Sequence, residues 1–115
     1  MPGSNTNRRI LRILLDIKNK AIDAEIKLLS DGKTADAEKL GERIDKLEYT
    51  IQKLRGVVLD DWLAKVDGFR TKIGQMNAEV QEAVDDIKDD IKTAERVVKL
   101  MGYIDDAVEL AAKVF

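Results

Sequence analysis

Residues 34–58 read TADAEKLGERIDKLEYTIQKLRGVV, and the spacing of their apolar members decides the fold class. Ala37, Leu40, Ile44, Leu47, Ile51, Leu54 and Val58 step by 3, 4, 3, 4, 3 and 4 residues. Such steps keep one side of an α-helix apolar, whereas a half-buried strand needs alternation at every second residue. With Ala37, Ile44, Ile51 and Val58 at a and Leu40, Leu47 and Leu54 at d, the a positions are mostly β-branched and the d positions leucine. That choice favours two-stranded packing. The same register puts Tyr49 at an outward f position and Asp61 at d, so the strict repeat stops there.

Toward the N-terminus, Ile10, Leu14, Ile17, Ala21, Ala24 and Leu28 form a second helical stripe, widened on its neighbouring side by Leu11, Leu15, Ile22, Ile26 and Leu29. A stripe of that width faces two partners rather than one. Between the two helices, Ser30-Asp31-Gly32-Lys33-Thr34 supplies a helix-ending glycine followed by a capping threonine, which predicts a turn. The opening residues 1–7, MPGSNTN, are small and polar and predict a disordered N-terminal tail ahead of a helix beginning near Arg8.

Toward the C-terminus, the apolar stripe continues through Trp62, Val66, Phe69, Ile73, Met76, Val80, Val84, Ile87, Ile91, Ala94, Val98 and Met101. Periodicity alone therefore does not locate the next turn. Gly74 is the best-placed glycine: Arg70 and Lys72 precede it, as suits a helix C-terminus, and Asn77 with Glu79 offers a cap and a first-turn acid. The expected helices are about 8–30, 35–73 and 77–115 in a single helical domain spanning 8–115, the main turn lying at 74–77. Gly56 and Gly102, each preceded by basic residues and followed by paired aspartates, mark possible breaks, while the spacing leaves open whether the helix is continuous through Gly68. The fold class is all-α: long amphipathic helices forming a helical hairpin or small bundle with coiled-coil-like packing.

Composition agrees. Charged residues make up 37% and hydrophobic residues 44%, with one proline among 115 residues, a balance suited to long helices and not to a β-sandwich. Acid-to-lysine pairs four residues apart, such as Asp16/Lys20, Glu42/Lys46 and Glu95/Lys99, each add about 0.2–0.5 kcal/mol to helix stability. The net charge of -2 gives no electrostatic case for nucleic acid. Charge is uneven, however: residues 1–30 carry 6 basic and 3 acidic side chains, and residues 77–96 carry 3 and 7. The basic first helix and this acidic segment are complementary and are expected to lie side by side.

The chain has no cysteine and no histidine, which removes thiolate nucleophiles, Cys-ligated zinc and the commonest general base. Ser4 and Ser30 are the only serines, and no glycine-rich phosphate loop is present. The reading is of a non-enzyme without cofactor. Asp85, Asp86, Asp89 and Asp90 pair across one helical turn and suggest, as a lesser alternative, a carboxylate metal-binding bundle. Arg8, Arg9 and Arg12 form a basic group without interleaved aromatics, a weak signal for phosphate or anionic lipid. The segment Val97–Phe115 is the least charged and raises the alternative of a membrane-active helix, although its polar face holds more acids than lysines.

The function expected from these residues is that of a helical interaction or scaffold protein, cytoplasmic, acting by self-association or by binding a helical protein partner. A homodimer is the first choice. The expected packing and interface residues are Leu40, Ile44, Leu47, Ile51, Leu54, Val58 and Trp62, with Arg43 facing Glu48 of the partner in a parallel pairing of the second helix.

Overall fold

The computed structural model describes residues 2–56 and 68–113, with side chains from residue 8 onward. Four helices carry these residues: α1 Pro2–Ser30, α2 Thr34–Arg55, α3 Phe69–Lys88 and α4 Thr93–Ala112. No strand occurs among the described residues. Val58 and Trp62, assigned to the seam from sequence, lie outside them.

The sequence stripes become the core. Ile10, Leu14, Ile17, Ala21, Ala24 and Leu28 of α1 are fully buried, as are Leu40, Leu47 and Leu54 of α2, with Ala37, Ile44 and Ile51 almost so. Phe69, Ile73, Val80 and Ile87 of α3 and Val97, Leu100, Ile104 and Ala107 of α4 complete it. Each buried aliphatic side chain contributes about 1.5–3 kcal/mol of transfer free energy, so the bundle is held by these rows and only trimmed by its surface charges.

Packing follows a square in which α1 and α4 are each flanked by α2 and α3, and only a marginal contact joins α1 to α4. Helix directions can be read from cross-helix contacts. Lys18 meets Glu48 while Glu25 lies against Gly41, so α1 and α2 are antiparallel. Lys20 meets Asn77 while Lys27 meets Asp90, so α1 and α3 run parallel. The short turn at 89–92 sends α4 back along α3, which leaves α4 parallel to α2. Two antiparallel hairpins therefore pack face to face, with extents of 46 × 21 × 18 Å. The basic first helix does lie beside the acidic segment, as charge complementarity required.

Both hairpin turns use one device. After α1, the Lys33 amide donates to the Leu28 carbonyl at 2.8 Å and the Gly32 amide to Leu29 at 3.1 Å, with Gly32 at φ 77°. After α3, the Ile91 amide donates to Asp86 at 2.8 Å and the Asp90 amide to Ile87 at 3.2 Å, with Asp90 at φ 59°. These are paired Schellman closures, in which a left-handed residue lets the last free carbonyls find donors.

Several sequence boundaries change, and the helix expected over 77–115 is divided by the turn at 89–92. The turn expected at 74–77 is absent, because α3 runs unbroken through Gly74, Gln75, Met76 and Asn77. Burial of Ile73 and Val80 on either side outweighs the roughly 1 kcal/mol helix penalty of one glycine. Gly102 likewise sits inside a continuous α4. The interruptions fall at Gly56, where α2 ends, and at Gly68, which precedes α3 with φ 67°. The tail expected over residues 1–7 is also revised, since α1 begins at Pro2 rather than near Arg8. Proline fits the first turn of a helix, where its missing N–H has no partner to lose.

Candidate interaction surface

Ionic contacts concentrate where helices meet. Asp16, Lys20 and Asn77 close a ring between α1 and α3: Lys20 Nζ is 3.0 Å from Asp16 Oδ2 and donates to Asn77 Oδ1 at 2.9 Å, while Asn77 Nδ2 donates to Asp16 Oδ2 at 2.9 Å. The Asn77 hydrogen bond, and then that of Lys20, hold the Asp16 carboxyl below its ordinary value against a small opposing cost of burial. Nearer the hairpin turns, Lys27 lies 3.1 Å from Asp31 and 3.6 Å from Asp90. The hydrogen bond to Asp31 raises the Lys27 amine above its ordinary value, and the charges of Asp31 and Asp90 add to it.

The acidic run singled out in the sequence is dispersed by these pairings. Asp85 accepts from Gln81 at 2.9 Å, Asp86 lies 2.8 Å from Arg96 Nε across the α3–α4 turn, and Asp90 faces Lys27. The Arg96 Nε is buried beside Asp86 without hydrogen-bond alignment, so its contact is chiefly a charge attraction. Among the described residues, no three acidic side chains converge in a way that could hold a metal ion.

The seam assigned to an interface is turned inward. Leu40, Ile44, Leu47, Ile51 and Leu54 face the chain's own core. Arg43 is 3.6 Å from Asp105 of α4 and 3.9 Å from Glu42, and Glu48 is 3.5 Å from Lys18 of α1. The two residues expected to meet across a parallel dimer thus have partners within the chain. Six apolar residues of the C-terminal segment, Val97, Leu100, Ile104, Ala107, Leu110 and Ala111, are also buried, while Val98 is exposed. No helix among the described residues is long and apolar enough to cross a membrane.

What the bundle leaves over is on α1. At 100° per residue, Leu11, Leu15, Ile22, Ile26 and Leu29 fall within about 60° of one another, roughly a third of a turn from the core stripe. Leu11, Leu15 and Ile22 are half-buried against the edge of the core, whereas Ile26 is 59% and Leu29 52% exposed. The stripe runs beside α2: Lys18 interrupts it and reaches Glu48, and Glu25 on the same flank lies over Gly41, where a Cβ would come within 2.5 Å of Glu25 Oε2. Glycine at 41 therefore gives the carboxylate its seat.

Other exposed apolar residues are scattered. Tyr49 is 65% exposed on the outer face of α2, as its f position requires, with Lys53 Nζ 5.5 Å from its ring centre. Val98 and Ile91 are exposed at the start of α4 and in the turn before it. Open grooves among the described residues include three with contrasting linings. One, between α1 and α3, is lined by Asp23, Ile26, Lys27, Ser30 and Lys88, and so borders the α1 stripe. The other two, along α4, are lined largely by charged side chains such as Lys72, Glu79 and Asp106 in one and Glu42, Arg43 and Asp105 in the other.

No known protein family matches this chain, and neither a curated protein nor a solved structure matches it.

Proposed function

We propose that this chain is a cytoplasmic, non-enzymatic helical interaction module whose activity is self-association. The observation that carries this reading is the leftover apolar stripe of α1. Ile26 and Leu29 stand at more than half exposure along a helix edge that also holds the half-buried Leu15 and Ile22, and a contiguous apolar edge is what supports an association site. The total accessible surface of 6478 Å² is close to the roughly 6,300 Å² expected for a folded monomer of this mass. On this reading association adds to a folded bundle instead of completing an open one. The absence of histidine and cysteine from the sequence agrees with a role in binding.

The test is light scattering with in-line small-angle scattering over a concentration series. A mass that rises toward twice 12.9 kDa, reversibly and with the far-ultraviolet circular dichroism unchanged, is the expected result. A constant monomer mass to about 1 mM removes the reading, since an association weaker than that is worth less than about 4 kcal/mol.

A further inference from the structure

We infer that a second copy of this chain docks on the α1 stripe with its own α1, antiparallel, across Leu15, Ile22 and Ile26. This rests on the self-association reading and specifies its surface and geometry.

Charge order along the stripe selects both occupant and direction. Arg8, Arg9 and Arg12 are exposed at the N-terminal end of α1 or side-on to it, whereas Asp23 is exposed on the same flank as Arg12, three turns further along. On the other flank lie Glu25 and, one turn either side of Gly41 on α2, the exposed Glu38 and Asp45. The stripe is therefore basic at one end and acidic at the other. Two copies laid parallel would bring opposite flanks together at equal height and so set Asp23 against the acidic flank formed by Glu25 and Asp45 of the second copy. Laid antiparallel about a twofold axis near Lys18 and Asn19, Leu15 meets Ile22, Leu11 meets Ile26 and Arg12 comes beside Asp23, every contact occurring twice. The acidic row on α2 also disfavours an anionic lipid surface as the occupant, because docking there would set Glu38 and Asp45 against like charge.

The size of the contact fixes how it must be sought. From Leu11 to Leu29 the stripe rises about 27 Å at 1.5 Å per residue. Contact over one helix width of about 10–12 Å covers about 300 Å² per partner. Stable interfaces cover about 800 Å², so the dimer is weak and reversible.

Sedimentation equilibrium of the full chain from 10 µM to 1 mM, on wild type and variants, tests this. Ile26→Glu should abolish dimerisation while leaving the melting temperature of the dilute protein unchanged, because the side chain is exposed. Arg12→Asp turns two attractive pairs repulsive and should weaken the dimer about tenfold. Arg12→Asp combined with Asp23→Arg should restore it. Wild type monomeric throughout would overturn both this inference and the self-association reading, and so would binding of that monomer to anionic vesicles through Ile26. Self-association that is indifferent to Ile26→Glu would overturn the α1 surface alone and leave self-association standing. Loss with Arg12→Asp that the paired reversal does not repair would overturn the antiparallel arrangement.

Discussion

Replacing Gly74 and Gly102 by alanine together should make this protein markedly more stable. Both glycines lie inside helices, at exposed positions, and a Cβ built on either meets nothing within 4 Å. The substitution therefore costs no packing and removes the conformational entropy that glycine loses on becoming helical, about 0.8–1.0 kcal/mol at each site. The two sites share no contacts, so the effects should add to about 2 kcal/mol. At about 4 °C per kcal/mol for a domain near this size, the melting temperature rises by about 8 °C. Urea unfolding followed by circular dichroism at 222 nm gives the free energy directly, and an unchanged denaturant slope certifies that the change lies in stability. Gly68→Ala serves as the opposite-sign control, because Gly68 has φ 67°, where a Cβ is strained and a loss of about 1 kcal/mol is expected. A loss of stability in Gly74→Ala alone would refute the continuous α3, since it would mean that Gly74 occupies the left-handed turn its sequence neighbours suggest.

Leu47→Ala should cost about 2–5 kcal/mol, because Leu47 is fully buried; the loss should not vary with protein concentration, whereas a seam shared between chains would make it do so. Lys92→Gly should stabilise by about 0.5–1 kcal/mol in chemical denaturation, and Asp90→Gly by less because it also gives up the contact with Lys27, since φ values of 46° and 59° suit glycine better than either residue. Destabilisation in both would mean that the α3–α4 turn has been assigned the wrong backbone. The Asp16 carboxyl titrates below its unfolded value, so the stabilisation it gives is present above about pH 4 and fades as pH falls through the folded value. Asn77→Ala removes the largest cause of that shift, and thermal melts from pH 6 to 2 should then show a shallower acid decline than wild type, with only a small difference because Asp16 is half exposed.

Where apolar spacing alone carried the information, the sequence was legible. The α2 seam from Ala37 to Leu54 and the α1 stripe from Ile10 to Leu28 are buried residue for residue. The turn after α1 was legible too, because Gly32 is the residue that the left-handed position prefers. The turn after α3 was hidden for the converse reason. It puts Asp90 and Lys92 in left-handed conformations that their types do not advertise, while Gly74 and Gly102 advertise breaks that tertiary packing overrides. Missing that turn also misread the stripe beyond it. Ile91, Ala94 and Val98 continue the spacing of α3, but the turn rotates α4 so that Thr93, Val97 and Leu100 face inward and those three do not. The interface residues suffered from a different ambiguity. A heptad row states that a helix packs on something and is silent on whether that partner belongs to the same chain. The wide stripe of α1 was visible in the sequence as a surplus, but only once the core had claimed its share could Ile26 and Leu29 be seen as the remainder.

The parallel neighbours α1 and α3 have a mechanical consequence. Within each hairpin, a turn of three or four residues fixes how far one helix sits along the other. Among the described residues no such turn joins α1 to α3, so cross-helix side-chain contacts help to set their axial offset. Aliphatic rows resist this poorly, because a slip of one helical turn, 5.4 Å, brings similar residues back into similar holes. Asp16, Lys20 and Asn77 act at one height, and Lys27 with Asp90 acts about 10 Å further along. Together with the Arg43–Asp105 pair that joins α2 to α4, these ties oppose a slip of one hairpin along the other.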